Sequence, residues 1–554
     1  MTRRLNGAPA AAAGIALSRL TGLVRAALIT NFLGIGAVGD AFAAALRIPN
    51  VLQNLLGEGA LSAAFIPEYT TALERDRHEA GRLAGAIAAF LISLTALLVG
   101  IGVLAARPLT RLIAWGFTGE TFELTVTLVR IVMIGSGLLV LSSWCLGILN
   151  SHRRFFLSYI APVVWNAVQI AVVVVVVALS WTGADIATAV AWAIVAGAGG
   201  QILIQLPSIR NANRSIAFCS PIRRPDARRV MHRFGPAIVG RGALQVSAFA
   251  DLALASLLSV GATAALAASQ LLYVLPLSII GMSVVAAELP EMSTLDEAGR
   301  SQRTSERLTQ TGYLMSAVTV IYLVAGQPIV DAVFNLGGWR DRIADDDLTL
   351  IALILGAYTL GLPALVASRL LQNICYGAGD TSTPSRIALV RVTVSFLIGL
   401  GLMFTMDRLL VIDGSITGFG DLEFVFGPLD ATVRLNESLP ARLGAVGLAL
   451  GAAAGAYTEF FLLRAAVLRR ANRTRLIEVA LWREVLPPVL ALATGVLVAI
   501  LVDVGQPVVE GALLAAVALA THLGAGFIVR SRGAHQLASA TRPLASSPSD
   551  EGAP

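Results

Sequence analysis

Ten ionisable side chains sit inside apolar runs of this chain, and they are the residues whose type and spacing could do chemistry. Arg19 and Arg25 lie in the first run and Asp40, Arg47 and Glu58 in the second, while Arg130, Arg241, Asp251, Arg369 and Arg391 follow further on. At the middle of a membrane helix each costs roughly 2.5–3.5 kcal/mol, so each has to face protein or water. Arg19 and Arg25 are six residues apart, about 9 Å along a helix axis, and are read as addressing one broad face. Guanidinium forks match phosphate oxygens, and two of them so placed suit a diphosphate. The competing role is structural: either arginine pairs with Asp40 or Glu58 to hold two spans together, or snorkels to the interface. That structural role is the one read for Arg130, Arg369 and Arg391. For Asp251, binding Na+ or a proton for coupling stands beside neutralising Arg241.

The second run, "DAFAAALRIPNVLQNLLGEGALSAAFIPEY" (Asp40 to Tyr69), combines these charges with helix breakers. Pro49 lacks the N–H that a helix needs, and Gly57-Glu58-Gly59 can loosen the helix again. Freed backbone groups at membrane depth are tolerated only where a polar cavity or protein satisfies them. The run is therefore expected to be a bent span lining a water-filled chamber. Glu58 is either a cavity carboxylate that keeps an arginine poised or a cap on the helix that restarts at Gly59.

Composition supplies the setting for these charges. Of 554 residues, 56% are hydrophobic and 14% charged, with a mean hydropathy of +0.76, far more apolar surface than a soluble globule hides. The expected fold class is an all-α polytopic membrane protein. The first run carries arginines in its middle and is followed by further spans, so it is read as a retained span and not a cleaved signal peptide. Cys145, Cys219 and Cys375 have no metal-ligand or CxxC spacing, and the five histidines are scattered. No metal site, triad or redox chemistry can be proposed from them.

Fourteen spans are expected, near 8–33, 38–68, 83–106, 122–150, 156–181, 184–207, 235–259, 262–292, 309–335, 346–376, 384–406, 442–468, 485–504 and 509–529. Every basic side chain apart from histidine is Arg, and most loop arginines fall in the termini and after even-numbered spans. The positive-inside rule then puts both termini in the cytoplasm. The Arg-rich segment 210–234 is read as a topology-setting cytoplasmic linker, not a nucleic-acid site.

"LGIGA" (Leu33 to Ala37) is echoed by "LSVGA" (Leu258 to Ala262), and "FIPEY" (Phe65 to Tyr69) by "ELPEM" (Glu288 to Met292), an offset of about 225 residues. Two six-helix lobes in parallel repeat are expected, 1–209 and 235–470, an arrangement found in secondary transporters. Two appended helices (471–530) and a disordered tail (531–554) complete the chain. The outside loop 407–442 is read as an ordered hairpin or lid, or as a tolerated insertion.

The stretch Ser18 to Tyr69 closely resembles the opening signature of the MurJ/MviN family, lipid II flippases of the superfamily that also holds polysaccharide and multidrug exporters. It has a Ser-Arg, an Arg six residues on, Gly-x-Gly, Asp-Ala-Phe, Pro-Asn, Glu-Gly-Ala and Ala-Phe-x-Pro in order. "GDTSTP" (Gly379 to Pro384) looks like the family's turn between spans 10 and 11, and "GPAIVG" (Gly235 to Gly240) like the start of span 7. The resemblance implies two lobes around a cationic cavity, with the last two helices forming a groove for the polyprenyl tail. By motif it carries Arg19, Arg25, Asp40, Arg47 and Glu58 onto the cavity wall.

Departures from the family pattern are marked. Ala26 replaces an acid, Gln53 and Leu271 stand where the family commonly has arginines, and Ser395 and Gly399 stand where a cation site with Asp251 would need Asn and an acid. Arg241 and Arg369 are the residues that could compensate for the lost arginines.

The resemblance thus implies flipping of an undecaprenyl-diphosphate-linked peptidoglycan precursor, lipid II, across the bacterial cytoplasmic membrane by alternating access. No covalent step, metal or cofactor is expected; the membrane potential, Na+ or H+ would drive it. Cell-wall synthesis proteins are candidate partners. Two other readings are a flippase for a different polyprenyl-linked oligosaccharide and a non-transporting cell-wall scaffold.

Overall fold

In a bilayer every backbone polar group must be satisfied within the protein, and runs rich in Ala, Leu, Val and Ile meet that demand as helices. A computed structural model describes residues 7–281, 297–335, 342–377, 380–421, 424–470, 481–502 and 504–541. Ten helices are long and apolar enough to cross a membrane, or eleven if one bent pair counts as a single span, by length and composition and among the described residues. This count, made on the described residues, does not confirm the expected fourteen. The expected spans 8–33 and 235–259 are helical but do not count among the ten, and 38–68 is broken into pieces.

The chain divides into two compact units, Met1–Ala268 with Asp341–Ile343 and Pro428–Pro440, and Ser269–Arg340 with Ala344–Gly427 and Ala441–Pro554. This division differs from the lobe boundary expected from the Arg-rich segment, because the helix after that segment packs with the first unit. The segment 210–234 is also less of a linker than expected: helix runs to Ala212 and resumes at Pro225. Between them, Gly81 and Gly85 let the backbone of Ser215–Phe218 lie directly on the helix they belong to.

The first unit comprises α1 (Gly7–Leu33), α2 (Ala37–Ala45), α3 (Arg47–Asn54), α4 (Ala60–Arg75), α5 (Arg77–Leu104), α6 (Ala106–Ile113), α7 (Gly119–Ser151), α8 (Phe155–Ala178), α9 (Gly183–Ala212), α10 (Pro225–Ala255) and the first turns of α11 (Ala262–Pro276). Helix α7 is its hub, packing against α2, α3, α4, α5 and α9. Leu128, Val129, Ile148 and Leu149 of α7 are fully buried, together with Phe65 and Tyr69 of α4 and Ile87 and Leu91 of α5.

The "FIPEY" motif has a packing function here. Tyr69 meets His152 Nε2 at 3.0 Å through its hydroxyl, and Glu68 accepts an ion pair from Arg233 of α10 at 3.0 Å. His152, just past α7, is held below its ordinary pKa by burial and by the nearby Arg154 and Arg77. At the start of α5, Asp76 accepts from the backbone N–H groups of His78 and Glu79, which holds its carboxyl below the usual range and caps the helix.

In the second unit the chain continues through α12 (Glu297–Val324), α13 (Gly326–Phe334), α14 (Asp345–Thr359), α15 (Leu362–Gly377), α16 (Ser382–Met406), α17 (Ala431–Arg434, in the segment grouped with the first unit), α18 (Gly444–Arg470), α19 (Leu481–Leu501), α20 (Pro507–Ile528) and α21 (Arg532–Thr541). The bent pair is α12 with α13, at 74°. After α16 a hairpin forms from β1 (Leu410–Ile412) and β2 (Ser415–Thr417), antiparallel with Leu410 opposite Thr417. Asp413 and Gly414 turn it with φ of 50° and 71°, the Asp-Gly pattern that two-residue hairpin turns favour.

Helices α16 and α18 pack with their backbones close together. Gly447, Gly451 and Gly455 recur every fourth residue along one face of α18, where a Cβ on Gly451 would lie 2.6 Å from Gly399 N and one on Gly447 2.8 Å from Met403 N. Small residues at this spacing let backbones touch, which is how membrane helices associate without a hydrophobic driving force. We predict that Gly451→Val lowers the thermal stability of the purified chain by about 3 kcal/mol, since overpacking here meets backbone. An unchanged unfolding temperature would contradict the contact.

Candidate functional site

The apolar run of α8 carries Trp165, Asn166 and Gln169, and the last two are buried. A polar side chain in a membrane helix needs a partner, and α1 supplies one. Asn166 Nδ2 donates to Ser18 O at 3.3 Å and to Thr21 Oγ1 at 3.0 Å, pinning α1 against α8 over the turn that separates Arg19 from Arg25. Gln169 Nε2 donates back to Trp165 O, and Trp165 Nε1 donates to Ile194 O of α9. The indole is thereby fixed in orientation.

Arg25 uses that fixed ring. Its guanidinium carbon lies 4.3 Å from the centre of the Trp165 ring, a cation–π contact worth about 0.5–2 kcal/mol. Arg25 Nε is buried and makes no hydrogen bond among the described residues. A buried, unpaired donor on a fixed cation is an incomplete site, because an unmade hydrogen bond of this kind costs about 1–3 kcal/mol.

Arg19 is exposed. Six residues at 100° each leave the two side chains about 120° apart around α1, a wide separation even for the one broad face read from the spacing. Neither is ion-paired to Asp40.

Asp40 has a different occupation. It is buried, with Oδ2 accepting from Gly261 N at 2.8 Å and Oδ1 from Ala264 N at 2.7 Å. These are orphan donors at the start of α11, so Asp40 caps a helix from 221 residues away and complements its dipole. Both echoes of the LGIGA pattern open helices at equivalent positions, α2 at Ala37 and α11 at Ala262; the second pair's ELPEM lies outside the described residues.

The second span is broken as its residues demand. The helix ends at Ala45 and restarts at Arg47, where Pro49 cannot donate to the carbonyl four residues back. A widened turn at Leu55–Gly59 follows, with Gly57 off helical geometry at ψ −115°. Widened turns of this kind concentrate at functional positions, and a second one occupies Leu277–Gly281 after α11. Arg47 opens α3, half-buried and partnered. The side chains of Glu58, in the widened turn, and Arg241, on α10, fall outside the described residues. Asp251 is half-buried and partnered on α10, and no cluster of metal-ligating side chains occurs among the described residues.

The segment Pro428–Pro440, read from sequence as part of a lid or insertion, is built into the first unit. Arg434 donates to Gly116 O and to Ser256 O, both at 3.1 Å, and its own carbonyl accepts from Val260 N. Glu437 Oε1 accepts from Ala37 N at 2.8 Å. A cation thus meets the carbonyl end of α10 and an anion the amide end of α2, as their dipoles favour. We predict that Arg434→Ala destabilises the chain by about 2 kcal/mol, the cost of stranding helix-end carbonyls. Thermal unfolding checks it, and no loss would show the segment to be a passive insertion.

In the second unit Arg369 and Arg391 are joined through buried Gln372 and Glu459 in a network that sequence reading missed. Arg369 donates to Gln372 Oε1 at 3.2 Å, Gln372 Nε2 donates to Glu459 Oε1 at 2.8 Å, and Arg391 pairs with Glu459 Oε2 at 3.1 Å. Glu459 is the one acid in "LGAAAGAYTEFFLLR", a signal present in the sequence but passed over. Gln53 and Leu271, which the resemblance sets against family arginines, are half-buried.

The family model for the lipid II flippase MurJ matches residues 29–412, beginning just beyond Arg25. A probable lipid II flippase MurJ of Rhizobium meliloti is 30% identical over 399 residues, 70% of this chain and 72% of that one. The lipid II flippase MurJ of Burkholderia cenocepacia is 29% identical over 384 residues, 67% of this chain and 73% of that one. Among solved structures, a lipid II flippase MurJ in an inward closed conformation aligns with a TM-score of 0.67 at 19% identity, covering 92% of this chain and 98% of the other. An inward-facing multidrug resistance MATE family transporter of the MOP superfamily aligns at 0.58 and 14% identity, covering 83% and 96%. These two alignments show the fold, an all-α polytopic membrane architecture. With a family model spanning more than half of its residues and relatives matched over most of their length, the chain belongs to the MurJ lipid II flippase family.

Proposed function

We propose that this protein flips undecaprenyl-diphosphate-linked peptidoglycan precursor, lipid II, from the inner to the outer leaflet of the bacterial cytoplasmic membrane by alternating access. The observation that carries the reading is Arg25: a guanidinium oriented on Trp165 with a buried donor that nothing in the described chain satisfies. A diphosphate oxygen supplies the missing acceptor, and the planar fork suits it better than a point charge would.

In this mechanism Arg25 holds the diphosphate, with Arg19 and Arg47 adding positive charge. The tail stays in the bilayer, along the groove expected at α19 and α20. Those two helices expose Val489, Leu497, Ile500 and Leu519 to their surroundings, as a lipid-facing pair should. Bonds are neither made nor broken. With both termini cytoplasmic, as the arginine distribution indicates, an inside-negative potential favours outward movement of the polyanion by about 2.3 kcal/mol per charge per 100 mV. Asp251 is the acid on which cation coupling would rest.

A second reading, a flippase for another polyprenyl-linked oligosaccharide, draws on Gln53 and Leu271 in place of arginines. Complementation separates the two. The wild-type chain is expected to restore growth to a strain depleted of its own lipid II flippase; failure at matched membrane levels would transfer the proposal to the second reading.

A further inference from the structure

The Arg369–Gln372–Glu459–Arg391 network carries more positive charge than it can neutralise. Arg391 pairs directly with the Glu459 carboxylate and Arg369 reaches it only through Gln372, and Glu459, 1% exposed, is the only acid in this chain of contacts among the described residues. Both carboxylate oxygens are occupied, one by Arg391 and one by the Gln372 amide. Arg369 spends a single N–H on Gln372 and Arg391 a single N–H on Glu459, out of five donors on each guanidinium. Unlike Arg25 and Arg464, Arg391 has no buried nitrogen without a partner among the described residues, and Arg369 is exposed. The Arg391 side chain is 30% exposed, and Arg369 is more open still.

The elements that hold the pair are rigid. Arg391 on α16 and Glu459 on α18 sit one helical turn beyond the contact in which Gly455 of α18 meets Ser395 of α16, so the backbones beneath the ion pair cannot slide apart. Arg369 and Gln372 are three residues apart on α15, one turn of one face. A structural pair alone would need one arginine, and a net positive pair inside a membrane protein is expensive unless an anion or water meets it.

The geometry points to an anion subsite within the second unit, in which Arg369 and Arg391 grip a phosphate-type group and Gln372 and Glu459 act as positioning residues. The identity of the anion rests on the flippase reading: the diphosphate or phosphorylated head of the translocated lipid. The bilayer's own anionic phospholipid presents the same chemistry, and the experiment separates the two sources.

The full-length chain is placed in phosphatidylcholine nanodiscs and titrated with undecaprenyl diphosphate, and separately with phosphatidylglycerol. Arg369→Gln and Arg391→Gln are each expected to weaken undecaprenyl diphosphate binding at least about tenfold, the loss of a charge-assisted hydrogen bond. Glu459→Gln removes the competing negative charge and is expected to tighten binding about threefold, a sign that a purely structural carboxylate would not produce.

If Arg391→Gln fails to fold, the double variant Arg391→Met with Glu459→Met replaces the pair without stranding a charge and should weaken binding about threefold, the loss of the arginine partly offset by removal of the carboxylate. Unchanged affinity in folded Arg369→Gln and in the double variant would overturn the subsite. Weakening seen for phosphatidylglycerol but not for undecaprenyl diphosphate would overturn the translocated lipid as its source. The flippase reading fails by a different result, absence of growth rescue by the wild type, which leaves these titrations readable.

Discussion

Arg25→Ala is expected to abolish rescue of a lipid II flippase-depleted strain and to weaken undecaprenyl diphosphate binding to the purified chain by roughly 10- to 150-fold, the equivalent of a charge-assisted hydrogen bond worth about 1.5–3 kcal/mol. The reasoning is local. Asn166 fixes α1 on α8, Trp165 fixes the guanidinium, and Arg25 Nε waits without an acceptor. Arg25→Lys should fall close to Ala, because an ammonium neither stacks on the indole in the same plane nor offers a fork. Trp165→Leu removes the cation–π contact but keeps the charge, so its loss should be smaller, about fivefold. Equal losses for Arg19→Ala and Arg25→Ala would instead favour a general electrostatic effect, since the exposed Arg19 lacks the fixed setting. Titration of the wild type and these four variants checks the ranking.

Asp40→Ala should act on stability and not on affinity. Its carboxylate answers backbone donors of Gly261 and Ala264, and the substitution strands both of them in a buried place. At about 1–3 kcal/mol for each stranded group, partly relieved by relaxation, the expected loss is about 4 kcal/mol. Asp40→Asn should be only slightly milder, because the amide turns a donor towards a donor. Thermal unfolding measures the loss, and undecaprenyl diphosphate titration of the folded protein should match the wild type. A stable Asp40→Ala chain with weakened ligand binding would return Asp40 to the ligand site that the resemblance assigned it.

Asp40 also shows where sequence reading reaches its limit. The membrane class, the helical content and the break in the second span were legible because they are local: apolar runs force helix in a bilayer, Pro49 removes one N–H, and Gly57 permits a non-helical ψ. A hairpin was one of the readings of the loop 407–442, drawn from its length, and the Asp413-Gly414 turn that closes it was passed over. Partners distant along the chain were not. Nothing near Asp40 says that its acceptors serve Gly261 and Ala264, and nothing near Arg434 or Glu437 says that the loop caps α10 and α2.

Arg25 stands out in the sequence as a cation in an apolar run, but its orientation depends on Trp165, which periodicity alone reads as packing. The same holds for Arg369 and Arg391. Each was visible, while the acid that joins them lay 68 residues beyond Arg391 among alanines and glycines.

The measurement that bears most directly on the central claim is transbilayer movement of lipid II in reconstituted vesicles, with the wild type and Arg25→Ala inserted at equal density under an inside-negative potential. The flippase account predicts that the wild type exposes lipid II on the outer face faster than protein-free vesicles and that Arg25→Ala does not. Movement no faster than in protein-free vesicles, by a folded wild type, would contradict the account.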